Sequence, residues 1–151
     1  MSVKLPWWVK ISAKIVLSRL PFGYRTWQRL GLFRHGYMDQ ADYLTSVFDA
    51  HVFRAGMKGC LSGKTILELG PGDSVGTALV AASYGARAIL LDAGAFAVSD
   101  VEFYKKLAND LTFKGLKPPD IQDASTLGEV LDACNAVFLT EGLGGFSRIV
   151  S

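Results

Sequence analysis

The sequence predicts an α/β fold in which parallel strands lie between layers of helices. Three observations carry that prediction. Short apolar runs recur at residues 65–69, 88–91 and 136–139, helical patterns fill the intervals between them, and a glycine-rich turn directly follows the first run. Strands that alternate with helices in this way form a parallel sheet with right-handed crossovers.

The totals allow such a fold and exclude several others. A chain of 151 residues, half hydrophobic and one fifth charged, can bury the core of one domain and is not the composition of a disordered protein. The net charge of +2 conceals an uneven distribution. Seven bases and no acid fall between Met1 and Met38, whereas the fourteen acids from Asp39 onward face nine bases. A basic leading segment beside a mildly acidic body suggests a contact of its own, read as a cover packed on the domain or on its missing half ahead of a peripheral membrane surface; nucleic acid is not expected as a partner. Cys60 and Cys134 lack metal-ligand spacing and read as reduced thiols, with Cys134 in the core. There is no signal peptide and no apolar run long enough to span a bilayer, so the expected location is cytoplasmic, peripheral at most to the inner face of a membrane.

The elements follow in order. Leu5 to Leu20 places Trp7, Ile11 and Ile15 four residues apart, with Lys10 and Lys14 on another face, and Pro21 ends this helix. Tyr24 to Phe33 makes a second short helix. Asp39 to Ala55 is a third, because Tyr43, Val47, Phe48, His51 and Val52 recur at helical intervals. Thr65 to Leu69 is apolar and partly β-branched, which predicts a buried strand. Gly70-Pro71-Gly72 turns the chain, and Asp73 or Ser74 caps a helix from Val75 to Tyr84 that closes on Gly85. Ala88 to Leu91 is the second strand, ended by Asp92. Helices over 99–111 and 126–134 precede the third strand, Ala136 to Leu139, and Gly142, Gly144 and Gly145 follow it. This divides the chain into an N-terminal helical segment, 1–58, and an α/β domain, 59–151. Three strands are fewer than the roughly five to seven of a doubly wound sheet, so the chain is expected to be a fragment of a longer one.

The stretch that carries chemistry is Ile66-Leu67-Glu68-Leu69-Gly70-Pro71-Gly72-Asp73-Ser74. A strand enters a glycine turn whose backbone can pass close under a ligand, and a helix N-terminus begins behind it. Asp92 lies twenty residues past Gly72 at the end of the next strand, where a carboxylate can accept hydrogen bonds from ribose hydroxyls. A dinucleotide site favours Gly-x-Gly-x-x-Gly; here the third glycine, Gly76, is displaced by one, and Asp73 would repel a pyrophosphate.

On these residues the chain resembles class I S-adenosylmethionine-dependent methyltransferases. Ile66 to Ser74 looks like their motif I, and Ala88 to Asp92 like their motif II with its terminal acid. The likeness implies a Rossmann-like three-layer sandwich, here incomplete. It also implies S-adenosylmethionine as cofactor, with Gly70 and Gly72 along the methionine portion and Glu68 near its amino group. Pro71, Asp73 and Ser74 complete the turn, Asp92 and Ala93 meet the ribose, and Glu141, Gly142 and Leu143 meet the adenine. Ser74 stands where a third glycine is frequent in that motif. A looser similarity, to bacterial methyltransferases of polysaccharide and glycolipid biosynthesis, implies a sugar or glycolipid acceptor. The fourth strand and its motif that the resemblance leads one to expect are not recognised in the sequence, so no catalytic residue is assigned.

Two rival readings stand beside this one: an NAD(P)-dependent oxidoreductase or nucleotide-sugar enzyme sharing the turn, and a non-catalytic α/β interaction module. For several residues the plainer reading is preferred. His35 and His51 have no acid at ligand spacing, so no metal site is expected. Trp7, Trp8 and Trp27 read as packing residues. Glu141, taken alone, reads as a solvated loop residue.

Overall fold

A computed structural model describes residues 40–150, apart from the side chains of Leu143, Phe146, Ile149 and Val150. They belong to the second of two units into which the chain divides, Gly36–Ser151. The expected helices at 5–20 and 24–33, the three tryptophans and His35 lie outside the described residues.

Three strands, β1 (Thr65–Leu69), β2 (Arg87–Leu91) and β3 (Ala136–Leu139), form one parallel sheet in the order β1-β2-β3. The helices are α1 (Ala41–Arg54), α2 (Gly76–Ser83), α3 (Val101–Phe113) and α4 (Leu127–Ala133). A 3₁₀ turn, Gly142–Phe146, and a short α5, Ser147–Val150, end the described chain. This is the α/β, Rossmann-like layout that the alternation predicts. No described helix is long and apolar enough to cross a membrane.

Local chemistry accounts for the boundaries. The helix expected from Ser99 begins at Val101 because the Asp100 carboxylate accepts the Glu102 N–H at 3.1 Å, which satisfies one of the orphan donors of the first turn. Thr126 and Glu129 form a reciprocal capping box at the start of α4. In α2 the cap differs from expectation: Val75 occupies the boundary, and Ser74 acts from one residue earlier through its Oγ, which accepts the Gly76 N–H at 3.0 Å. Gly85, with φ of 72°, follows α2 in the left-handed region, as a helix-ending glycine does.

Side chains alternate across the sheet. Ile66, Ala88, Leu90, Ala136 and Phe138 pack in the main core with α1, α2, α3 and α4. There Leu44, Leu79, Tyr104, Leu107 and Val130 are buried. α1, which falls within the N-terminal segment in sequence, thus contributes Ala41, Leu44 and Phe48 to the same core as the sheet. Cys134 is buried beneath β3, and burial pushes its thiol up to about 12, so it is an inert packing residue. On the opposite face Ile89, Leu91 and Leu139 form a smaller cluster with Val137.

β1 departs from the expected buried strand. It pairs with β2 along one side, while Leu67 and Leu69 are 44% and 62% exposed. An apolar run signals burial only if both faces are covered, and β1 is an edge strand of the described sheet. Its partners in register, Ile89 and Leu91, are buried because β2 is central.

Gly76 explains how α2 approaches α1 and α3. A Cβ at this position would lie 2.8 Å from Leu107 Cδ2 and 2.9 Å from Leu44 Cδ2. The displaced third glycine is therefore a helix-packing residue, and Leu107 fills the space it leaves. Replacing Leu107 with alanine opens a cavity at this junction. We expect a loss of about 2–5 kcal/mol in urea unfolding with an unchanged m-value; a loss near zero would show that α3 does not hold α2 in place.

Candidate functional site

The three parallel strands end in loops at one edge of the sheet, and the predicted residues gather there. β1 runs into Gly70, Pro71 and Gly72. Gly70 and Gly72 have φ of 74° and 68°, a region that costs a residue with a side chain about 1–2 kcal/mol. Pro71, between them, is buried. Gly70 still donates its N–H to Leu91 O at 2.8 Å, so the turn leaves the sheet only after the last ladder bond.

Asp92 joins all three loops. Its Oδ2 accepts the Gly72 N–H at 3.0 Å, and its Oδ1 accepts the Ala93 N–H at 2.7 Å. Its own N–H donates to Leu139 O, and its carbonyl accepts the Gly142 N–H, both at 2.8 Å. Gly142 also approaches the second loop closely, since a Cβ there would lie 3.7 Å from Ala93 Cα. One residue therefore binds the glycine turn through its side chain and the loop after β3 through its main chain.

Glu68 lies under the turn on the helical face of β1. The Thr77 side chain of α2 lies nearby, and the buried Oε2 has no hydrogen-bond partner. Burial raises this carboxyl above its ordinary value of 4.5, and the Asp92 charge adds slightly; Thr77 and His51 act in the opposite direction. A mainly apolar cavity of about 530 Å³ adjoins it, with Val47, Phe48, His51, Leu69 and Thr77 among its lining residues.

The remaining predicted residues divide. Asp73 and Ser74 belong to the turn: the Asp73 carbonyl accepts the Val98 N–H at 2.9 Å, and Ser74 is buried. Glu141 is exposed and paired with Arg148 at 3.1 Å, a contact that contributes little. The segment from Gly142 that includes Leu143 is coiled into the 3₁₀ turn. No cluster among the described residues could hold a metal ion.

Two contributors were missed in the sequence. Thr77 carries a weak signal, since it lies in the first turn of α2 within reach of the strand beneath. Tyr104 carries none. It is fully buried in α3, and its hydroxyl donates to Val98 O at 2.8 Å and accepts the Val75 N–H at 3.4 Å. Burial pushes this phenol up to about 12, and the Val75 and Ser74 contacts oppose that shift only in part. It remains neutral and able to donate at physiological pH.

No family model, curated protein or solved structure matches the chain.

The strand ends bring two carboxyls, Glu68 and Asp92, to a glycine-lined turn. The raised Glu68 carboxyl has a consequence that can be measured. The folded state holds this proton more tightly than the unfolded chain, so stability falls as pH rises from about 4.5 through the folded value. Glu68→Gln removes that loss. Its melting temperature should exceed the wild-type value at pH 7, and the gap should close as the pH is lowered to 4. A gap that is constant with pH would mean that Glu68 is solvated.

Proposed function

We propose that Gly36–Ser151 binds S-adenosylmethionine and is the cofactor-binding part of a class I methyltransferase. The observation that carries this reading is the condition of the first α2 amides. Val75 N–H is held by the Tyr104 hydroxyl and Gly76 N–H by Ser74 Oγ. A dinucleotide needs such amides for its pyrophosphate. At this turn they are bonded within the protein, and the nearby side chains are acids: Glu68 beneath, Asp73 within and Asp92 beside it.

S-adenosylmethionine has no phosphate and carries two cationic centres. The orphaned Oε2 of Glu68 fits its ammonium group, because a cation there gives a buried carboxylate the partner it lacks. Asp92 retains acceptor capacity on each oxygen after binding Gly72 and Ala93, which suits a pair of ribose hydroxyls. Gly70 and Gly72 let backbone lie close along the methionine portion, with Pro71 holding the turn, and Ala93, Gly142 and Leu143 offer backbone toward the base. When bound, the cofactor supplies an electrophilic methyl group; these residues hold and align it. By the weaker resemblance, the acceptor is a sugar or glycolipid.

S-adenosylhomocysteine should raise the melting midpoint of the chain, by about 2.7 kcal/mol of added stability at one hundred times its Kd. Asp92→Ala should still melt cooperatively and lose the ligand shift. A shift with NAD in place of S-adenosylhomocysteine would transfer the site to an oxidoreductase. Indifference to both would leave an α/β interaction module.

A further inference from the structure

The loop that follows β2 is anchored at both ends to the glycine turn. At its start, Asp92 accepts the Gly72 N–H at 3.0 Å. At its far end, Val98 donates its N–H to Asp73 O at 2.9 Å and accepts the Tyr104 hydroxyl at 2.8 Å. The same hydroxyl accepts the Val75 N–H at 3.4 Å. Between these anchors lie Ala93 to Ala97. The Phe96 ring is folded so tightly onto Gly94 that a Cβ there would lie 2.8 Å from its Cζ.

A buried phenol needs hydrogen-bond partners, and partners could come from any nearby polar group. The partners of Tyr104 are backbone groups of two separate loops. These two loops form the opposite banks of the proposed cofactor crevice, one bearing Gly70 and Gly72 and the other Asp92 and Ala93. The ring of Tyr104 is fully buried, so its hydroxyl reaches both banks from the core, beside the direct Gly72–Asp92 and Val98–Asp73 bonds.

We infer that Tyr104 is a positioning residue for the ligand crevice, bracing segment 93–97 against the glycine turn without touching ligand. This rests on the cofactor reading for its ligand, but the brace itself does not. Tyr104→Phe keeps the ring and removes only the hydroxyl. A hydrogen bond of ordinary net strength corresponds to roughly a five- to tenfold change in an equilibrium constant. Leu111→Val, in the same helix and fully buried, serves as a control that lowers stability by cavity formation alone.

The experiment has two readouts on the full chain. In calorimetric titration with S-adenosylhomocysteine, Tyr104→Phe should weaken binding by about five- to tenfold, while Leu111→Val leaves the Kd unchanged. In amide hydrogen exchange without ligand, Tyr104→Phe should speed exchange selectively at residues 93–98, and Leu111→Val should not. If the wild-type chain ignores S-adenosylhomocysteine, the cofactor reading fails and the exchange experiment alone decides the brace. Unchanged exchange at 93–98 in Tyr104→Phe overturns the inference whatever the ligand does. Unchanged affinity in a variant that does exchange faster overturns its role in binding. If Tyr104→Phe fails to fold, wild-type exchange decides: a Val75 amide, which donates to the Tyr104 hydroxyl, protected like that of Gly72 supports the brace, and one exchanging like that of exposed Ser99 overturns it.

Discussion

The carboxylate of Asp92 is the constraint on which the site depends. A parallel sheet ends in loops whose amides have lost their ladder partners, and each must find another or face water. Asp92 supplies acceptors for two of them, at Gly72 and Ala93, while its peptide groups engage Leu139 and Gly142. Bonds to an ionised acceptor are stronger than those between neutral groups, so this residue fixes the glycine turn more firmly than a carbonyl would. The sheet sets where the loops begin; Asp92 sets how they meet.

Glu68 and Asp92 are two carboxyls in one site, treated in opposite ways. Asp92 is surrounded by donors. Glu68 has the Thr77 side chain nearby and no partner on Oε2, within a largely apolar setting. A carboxyl left in that state opposes folding at neutral pH, and natural proteins tolerate such groups where a ligand relieves them. The contrast between the two residues is what supports the proposal of a cation beside a hydroxyl-bearing group at this turn.

Much of the fold was legible because its signals are local. The strand limits at Thr65, Leu69, Ala136 and Leu139 agree with the apolar runs; Thr126 marks a helix start through its hydroxyl, and Gly85 a helix end through its freedom at positive φ. Glu68, Gly70, Gly72 and Asp92 could be read together because a strand, a tight turn and the next strand end have characteristic spacing. What was not legible depends on which elements become neighbours. The exposure of β1 follows from its place in the sheet order, and the Tyr104 contacts follow from how α3 crosses two loops. The role of Gly76 emerges only when Leu44 and Leu107 are seen on either side of it. The 3₁₀ turn after β3 was hidden because a glycine-rich stretch carries no periodicity.

The strand order also bears on how the site comes into being during folding. The Gly72–Asp92 bond joins residues twenty apart, whereas the bond from Asp92 to Leu139 closes a loop more than twice as long. Closure entropy grows slowly with length, but contacts between near residues still form sooner and at lower entropic cost. The segment from Thr65 to Asp92 is therefore a self-contained parallel unit: strand, turn, helix, strand and the carboxylate that ties the ends together. The contacts with β3 and its glycines span the longer separation. The part of the site with the strictest geometry is the part the chain can assemble from its most local contacts.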